Sequence, residues 1–147
     1  CTLPRNLVGD GGLVTVYNHK DDITFTNCYF AQTGICIDSG SNDYPVTFSG
    51  CTFEEMKYSA YYNYSLKLYA PQCTYKNCAF TFEVDGVTAR EGYEDRSGID
   101  TGYYQYVPFR VDGDSKVITF DSCTMNGTTI DETISNYIYG EPTVNIL

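Results

Sequence analysis

Tryptophan is absent, histidine occurs once, and cations are scarce: Lys and Arg number 9 against 19 Asp and Glu, a formal net charge of −10. So few positive charges cannot neutralise a phosphate backbone, which excludes nucleic acid as a partner and disfavours anionic membrane surfaces. No apolar stretch approaches the roughly 18 residues of a spanning helix, so no membrane insertion is expected. No two cysteines have the two-residue spacing of a zinc-binding pair, and no metal site is assigned. The lone histidine, His19, falls in the polar turn Asn18-His19-Lys20-Asp21-Asp22; it reads as a solvated turn residue, not as the partner of a catalytic Cys36. What is present suffices for a core: 42% of residues are hydrophobic and 19% charged, a balance that excludes a disordered chain.

The organising feature is a repeat. Ile23-Thr24-Phe25-Thr26-Asn27-Cys28-Tyr29-Phe30 aligns without a gap on Val46-Thr47-Phe48-Ser49-Gly50-Cys51-Thr52-Phe53, on Cys73-Thr74-Tyr75-Lys76-Asn77-Cys78-Ala79-Phe80, and on Ile118-Thr119-Phe120-Asp121-Ser122-Cys123-Thr124-Met125. In each copy the first and third residues are large and mostly apolar and the second is Thr, the period-two alternation of a strand. The phase then breaks, and Cys and Phe or Met resume the inward positions. A bend is required between the two halves, at Asn27, Gly50, Asn77 or Ser122, and Asn and Gly are the types that tolerate a left-handed backbone. Each copy is therefore two short strands joined by a tight corner.

A third strand lies between copies. Val14-Thr15-Val16, Ile35-Cys36-Ile37, Leu66-Lys67-Leu68, Phe109-Arg110-Val111 and Val144-Asn145-Ile146 each read apolar, variable, apolar, with the middle residue facing out. The stretch from this strand to the next ladder cysteine is nearly constant, whereas the connection from that cysteine onward varies widely and carries the long insertion at 81–107. Insertions on one side are the mark of a solenoid with coils of roughly 22 residues. The expectation is an all-β solenoid over residues 1–147, a single segment with three short strands per coil, about four full coils and partial ends. Cys1-Thr2-Leu3 matches the tails of the copies, so the segment is expected to be cut in mid-coil at its N-terminus, with flanking coils or another chain covering the exposed ends.

Five cysteines, Cys1, Cys28, Cys51, Cys78 and Cys123, share one repeat position and should stack in a buried column as small hydrophobes, not as disulfides. Cys73 takes the inward slot of Ile23, Val46 and Ile118. Cys36 sits at an outward position with Thr15, Lys67, Arg110 and Asn145, and is the one thiol placed to react unless a loop covers it.

Three strands per coil, a short Asn-bearing corner and one hypervariable connection resemble the pectate-lyase-like right-handed parallel β-helix family, and the Phe-x-Asn-Cys-x-Phe pattern also resembles repeats of large bacterial surface proteins. The resemblance implies an extracellular, cell-surface or virion location and a ligand groove on the outer face of the strand that follows the variable connection. The acidic cluster of the family's enzymes is missing from that face, so no catalytic residue is assigned; a polysaccharide-lyase-like pairing of Lys67 with Arg110 is the enzymatic alternative. No cofactor is implied. Calcium is the one ion the turn residues Asp21, Asp22, Asp43, Asp112 and Asp114 could draw, and it stays an alternative that would need six or more oxygens from scattered turns to converge.

Tyrosines concentrate in the variable loops: Tyr58, Tyr61, Tyr62 and Tyr64 in 54–65, Tyr93, Tyr103, Tyr104 and Tyr106 in 81–107, and Tyr137 and Tyr139 in the last loop. Their flat apolar faces and polar tips suit sugar rings and protein partners, or simply cover the solenoid wall. The expected ligand-binding set is Lys67, Arg110, Tyr62, Tyr64, Tyr104 and Tyr106, facing a glycan or protein ligand. The expected function is a binding or adhesive segment; part of a carbohydrate-active enzyme, either a polysaccharide lyase or a glycoside hydrolase, and a structural spacer are the alternatives.

Overall fold

In the computed structural model, which describes residues 2–3, 14–17, 20–31, 35–38, 44–56, 64–68, 72–82, 107–111 and 115–147, the alternating runs are strands and the chain is all-β. The first two repeats supply β1 (Thr2–Leu3), β2 (Val14–Tyr17), β3 (Ile23–Thr26), β4 (Tyr29–Ala31), β5 (Ile35–Asp38), β6 (Val46–Ser49) and β7 (Thr52–Met56). The next two supply β8 (Tyr64–Leu68), β9 (Gln72–Lys76), β10 (Ala79–Phe82), β11 (Val107–Val111), β12 (Val117–Asp121) and β13 (Thr124–Met125). The last part holds β14 (Thr128–Thr129), a 3-10 helix over Glu132–Tyr137, β15 (Ile138–Tyr139) and β16 (Thr143–Ile146).

Strands that occupy the same repeat position lie side by side. One sheet runs β3, β6, β9, β12, β16; a second runs β2, β5, β8, β11, β15; a third runs β1, β4, β7, β10, β13, β14. All neighbours are parallel except the final pair, β13 and β14. The first sheet is in strict register, with Phe25, Phe48, Tyr75, Phe120 and Ile146 in one row and Thr24, Thr47, Thr74, Thr119 and Asn145 in the row beside it. Neighbouring strands sit about 4.8 Å apart, so in-register rings must lie over one another. Ring centroids are separated by 4.9 Å for Phe25 and Phe48, 5.2 Å for Phe48 and Tyr75, and 5.5 Å for Tyr75 and Phe120, with all ring planes nearly parallel. A second column, Phe30, Phe53 and Phe80, stacks at 5.0 and 4.8 Å and meets the first edge to face. Phe109 closes the core from the remaining sheet, edge-on to Tyr75, Phe80 and Phe120. Each such contact adds about 0.5–1.5 kcal/mol beyond the burial of the rings.

The corners are as the repeat requires. Asn27, Gly50, Asn77 and Ser122 have φ of 52°, 63°, 50° and 55°. The left-handed conformation costs an ordinary L-residue roughly 1–2 kcal/mol, which Gly escapes and Asn mitigates. The turn breaks no pairing: Asn27 N donates to Ser49 O at 2.9 Å, Gly50 N to Lys76 O at 2.8 Å and Asn77 N to Asp121 O at 2.8 Å. A side chain at residue 50 would run into the Asn27 carboxamide above it, a second reason for glycine there.

Immediately past each corner stands the cysteine. Cys28, Cys51, Cys78 and Cys123 are buried and free, as is Cys73. Each column thiol reaches a main-chain carbonyl: Cys51 that of Phe25 at 3.4 Å, Cys78 that of Phe48 at 3.4 Å, Cys123 that of Tyr75 at 3.3 Å. Cysteine thus fills a small apolar slot while offering its weak S–H donor to the neighbouring strand. Cys1, at the foot of the alignment, lies outside the described residues, although Thr2 and Leu3 pair with Tyr29 and Phe30 as the alignment demands.

Two expectations are corrected. Val144-Asn145-Ile146 does not continue the row of Arg110; it is β16, beside β12, and its Asn145 donates to Thr119 Oγ1 at 3.5 Å. The place beside Arg110 goes to Tyr139 of β15. An apolar, variable, apolar triplet is identical in both strand classes, and only the corner that follows distinguishes them. Tyr64, expected in the loop 54–65, instead opens β8 opposite Val107, because its pairing with β11 extends the strand backwards.

Replacing Cys51 with Ala is expected to cost about 1–2 kcal/mol, and replacing it with Asp several kcal/mol more, since an unpaired carboxylate would enter the column. Denaturant melts of the two variants check this; equal tolerance would place the column in solvent.

Candidate functional site

The sheet β2, β5, β8, β11, β15 carries the candidate face. Leu66-Lys67-Leu68 and Phe109-Arg110-Val111 form its two best-paired strands, with Phe109 and Val111 buried as anchors. Register makes Thr15, Cys36, Lys67, Arg110 and Tyr139 successive partners across five strands. Lys67 and Arg110 therefore sit one strand spacing apart, about 4.8 Å between backbones. Lys67 and Arg110 are both cationic residue types, and a guanidinium fork is able to grip two oxygens of a carboxylate or sulfate at once.

Of the expected ligand-binding residues, the structure brings Lys67 and Arg110 together as Cα partners. Tyr64 lies three residues before Lys67 on the same strand, in phase with Leu66 and Leu68 and out of phase with Lys67. Tyr62, Tyr104 and Tyr106 lie outside the described residues, as do His19, Asp43, Asp112, Asp114 and the stretch 91–100. Tyr139 was missed as a member of the row. Its signal was faint: Ile138-Tyr139 is a two-residue strand preceded by a 3-10 helix and has no apolar partner two positions on.

The acidic residues do not assemble. Asp21 and Asp22 are both exposed, with Asp22 N donating to Asp21 Oδ1 at 2.9 Å. Asp121 pairs with Lys76 on the neighbouring strand at 3.9 Å, an exposed contact worth little. Among the described residues no group of three His, Cys, Asp or Glu side chains could hold a metal ion, and no helix is long and apolar enough to cross a membrane.

Three of the buried thiols, Cys51, Cys73 and Cys78, are chemically quiet. Burial pushes Cys73 up to about 12 and raises Cys51, while contact with Cys123 together with burial holds Cys78 far above the usual thiol range. A thiolate is the reactive form, so these groups are poor nucleophiles at neutral pH. Tyr75 is the only ring in its stack with a hydroxyl, and that hydroxyl is buried without a hydrogen-bond partner. Burial, with Cys73 next to it, drives its ionisation well above the phenol range.

Two variants test this interior. Cys73 ionises near 9.0 when exposed and about 12 when folded, so its contribution is fully present below pH 9 and is lost as pH rises toward 12. The expected loss is about 1.4 kcal/mol per pH unit over that window. Cys73→Val, the residue of the equivalent slot at position 46, should flatten the alkaline limb of a stability-against-pH profile; an unchanged limb would contradict a neutral buried thiol. Tyr75→Phe should raise the unfolding free energy measured in denaturant melts by about 1 kcal/mol, because it removes an unsatisfied hydroxyl. No protein-family model, curated protein or solved structure matches the chain, so the candidate face stands on its own geometry.

Proposed function

We propose that the chain is a run of right-handed parallel β-helix coils, and that it serves as a binding segment of a secreted, surface or virion protein whose Lys67–Arg110 face takes an acidic or sulfated glycan. The helical reading is supported by in-register parallel pairing of strands from successive repeats and by the left-handed corner in each repeat. The glycan reading is carried by one observation, the pairing of Lys67 with Arg110 on adjacent strands. In a molecule of net charge −10 two adjacent cations on one row are a local exception. Their charge must be met by an anion or by solvent, and a polyanion with charges spaced along its length can meet both at once. Tyr139, next in the row, adds an aromatic residue of the type that stacks on sugar rings.

Calorimetric titration of the wild type and a Lys67→Ala/Arg110→Ala double variant against uronic-acid, sulfated and neutral oligosaccharides tests the proposal. The wild type should prefer the acidic sugars, with affinity falling as salt rises, and the double variant should lose at least about tenfold. Binding that survives both substitutions, or that shows no preference for acidic sugars, removes this face. Release of unsaturated products during the titration would point to the lyase alternative.

A further inference from the structure

Beyond β13 the chain leaves its repeat. In earlier coils the carbonyl of the column cysteine accepts the backbone N–H of the next coil's strand: Cys28 O from Thr52 N, Cys51 O from Ala79 N, Cys78 O from Thr124 N. Cys123 O instead accepts from Ile130 N at 3.0 Å, within the same excursion. The cause is the Asn126-Gly127 turn, with φ of 50° and 79°, which reverses the chain so that β14 pairs antiparallel with β13. Asp131 then caps the 3-10 helix, and Ile134 and Ile138 anchor it to the core. This departure opens a cleft between hairpin and helix of about 250 Å³, open to solvent on one side.

We propose that this cleft is a binding site for a neutral hexopyranose, separate from the Lys67–Arg110 face and independent of it. Its volume falls short of the roughly 300–1,000 Å³ that drug-sized ligands occupy and suits one sugar ring. One part of its wall is apolar and held in place: Tyr137 is half-buried and packed on the core, beside Met125 and the buried Ile134. A sugar presents an apolar C–H face to such a surface. The other part is polar. The Thr128 and Thr133 hydroxyls line it; that of Thr128 can donate and accept, while that of Thr133, its proton given to Asp131, is left as an acceptor. Asp131, which also lines the cleft, accepts at Oδ1 from Thr133 N at 2.9 Å and from Thr133 Oγ1 at 2.6 Å, and these two bonds fix its carboxylate. The same two bonds hold the Asp131 carboxyl below the usual range, so it is ionised at neutral pH and is a pure acceptor. Among the described residues no basic one lines the cleft, so an anionic sugar would meet an uncompensated carboxylate. A neutral ring with vicinal hydroxyls fits both parts of the wall.

The test is an amide-resolved NMR titration of the whole chain, prepared without glycosylation because Asn126-Gly127-Thr128 is an acceptor triplet. The probes are the methyl glycosides of glucose, galactose and mannose, with galacturonic acid as the charged counterpart. Shifts are expected at Thr128, Thr133 and Tyr137 with millimolar affinity for at least one neutral glycoside, and weaker binding of the acid. Asp131→Asn keeps a capping side chain and should weaken binding about tenfold; Tyr137→Leu should abolish it in a protein whose remaining spectrum is unchanged. Lys67→Ala/Arg110→Ala should leave this binding intact, which separates it from the other face. No localised shifts with any neutral glycoside, or equal affinity in Asp131→Asn, overturns the site.

Discussion

Everything in this molecule follows from strands repeating in register at one spacing. When parallel neighbours stand about 4.8 Å apart and pair residue for residue, each side chain lies on the equivalent side chain of the next repeat. Like residues stack well in such rows, although the row of Ile23, Val46, Cys73 and Ile118 shows that unlike apolar residues also fit. Phenylalanine over phenylalanine, threonine over threonine and cysteine over cysteine are the consequence, and the aromatic columns give the core its cohesion. Tyr75 shows the limit of the rule: its ring fits the column, but its hydroxyl has nowhere to bond.

The corner and the cysteine work as a pair. A left-handed residue turns the chain sharply enough for pairing to pass from one sheet to the next with no main-chain donor stranded. The position that follows has room for only a small side chain and faces a carbonyl of the adjoining strand. Cysteine meets both conditions, and burial raises the Cys51 thiol above its usual range. Seven cysteines in this chain therefore do not by themselves announce redox chemistry; Cys28, Cys51, Cys73, Cys78 and Cys123 are packing.

Chemistry is left to the places where the repeat is varied or abandoned. Lys67 and Arg110 are variable middle residues of otherwise conserved-pattern triplets, and adjacency comes to them from register alone. Asp131 and Tyr137 lie in an excursion that takes over the pairing edge of β13, and the concavity there exists because the hairpin and the helix do not follow the coil.

How much was legible from sequence divides along the same line. The strands, the corner positions, the cysteine column and the Lys67–Arg110 adjacency could be read from the alignment, because an in-register stack makes three-dimensional neighbours out of residues equivalent in the repeat. The alignment failed for Val144-Asn145-Ile146, whose triplet fits two strand classes, and for Tyr139, whose strand is too short to show a period. It was also silent on the cleft. Asn126-Gly127 is a hairpin dipeptide visible in the sequence, but that its hairpin would take the Cys123 carbonyl and face a 3-10 helix depends on which edges are free once the coils are stacked. Local residue identity determined the strands and their corners; only the tertiary structure, by assigning each strand its neighbour and each edge its occupant, decided where the repeat gives way to a cleft.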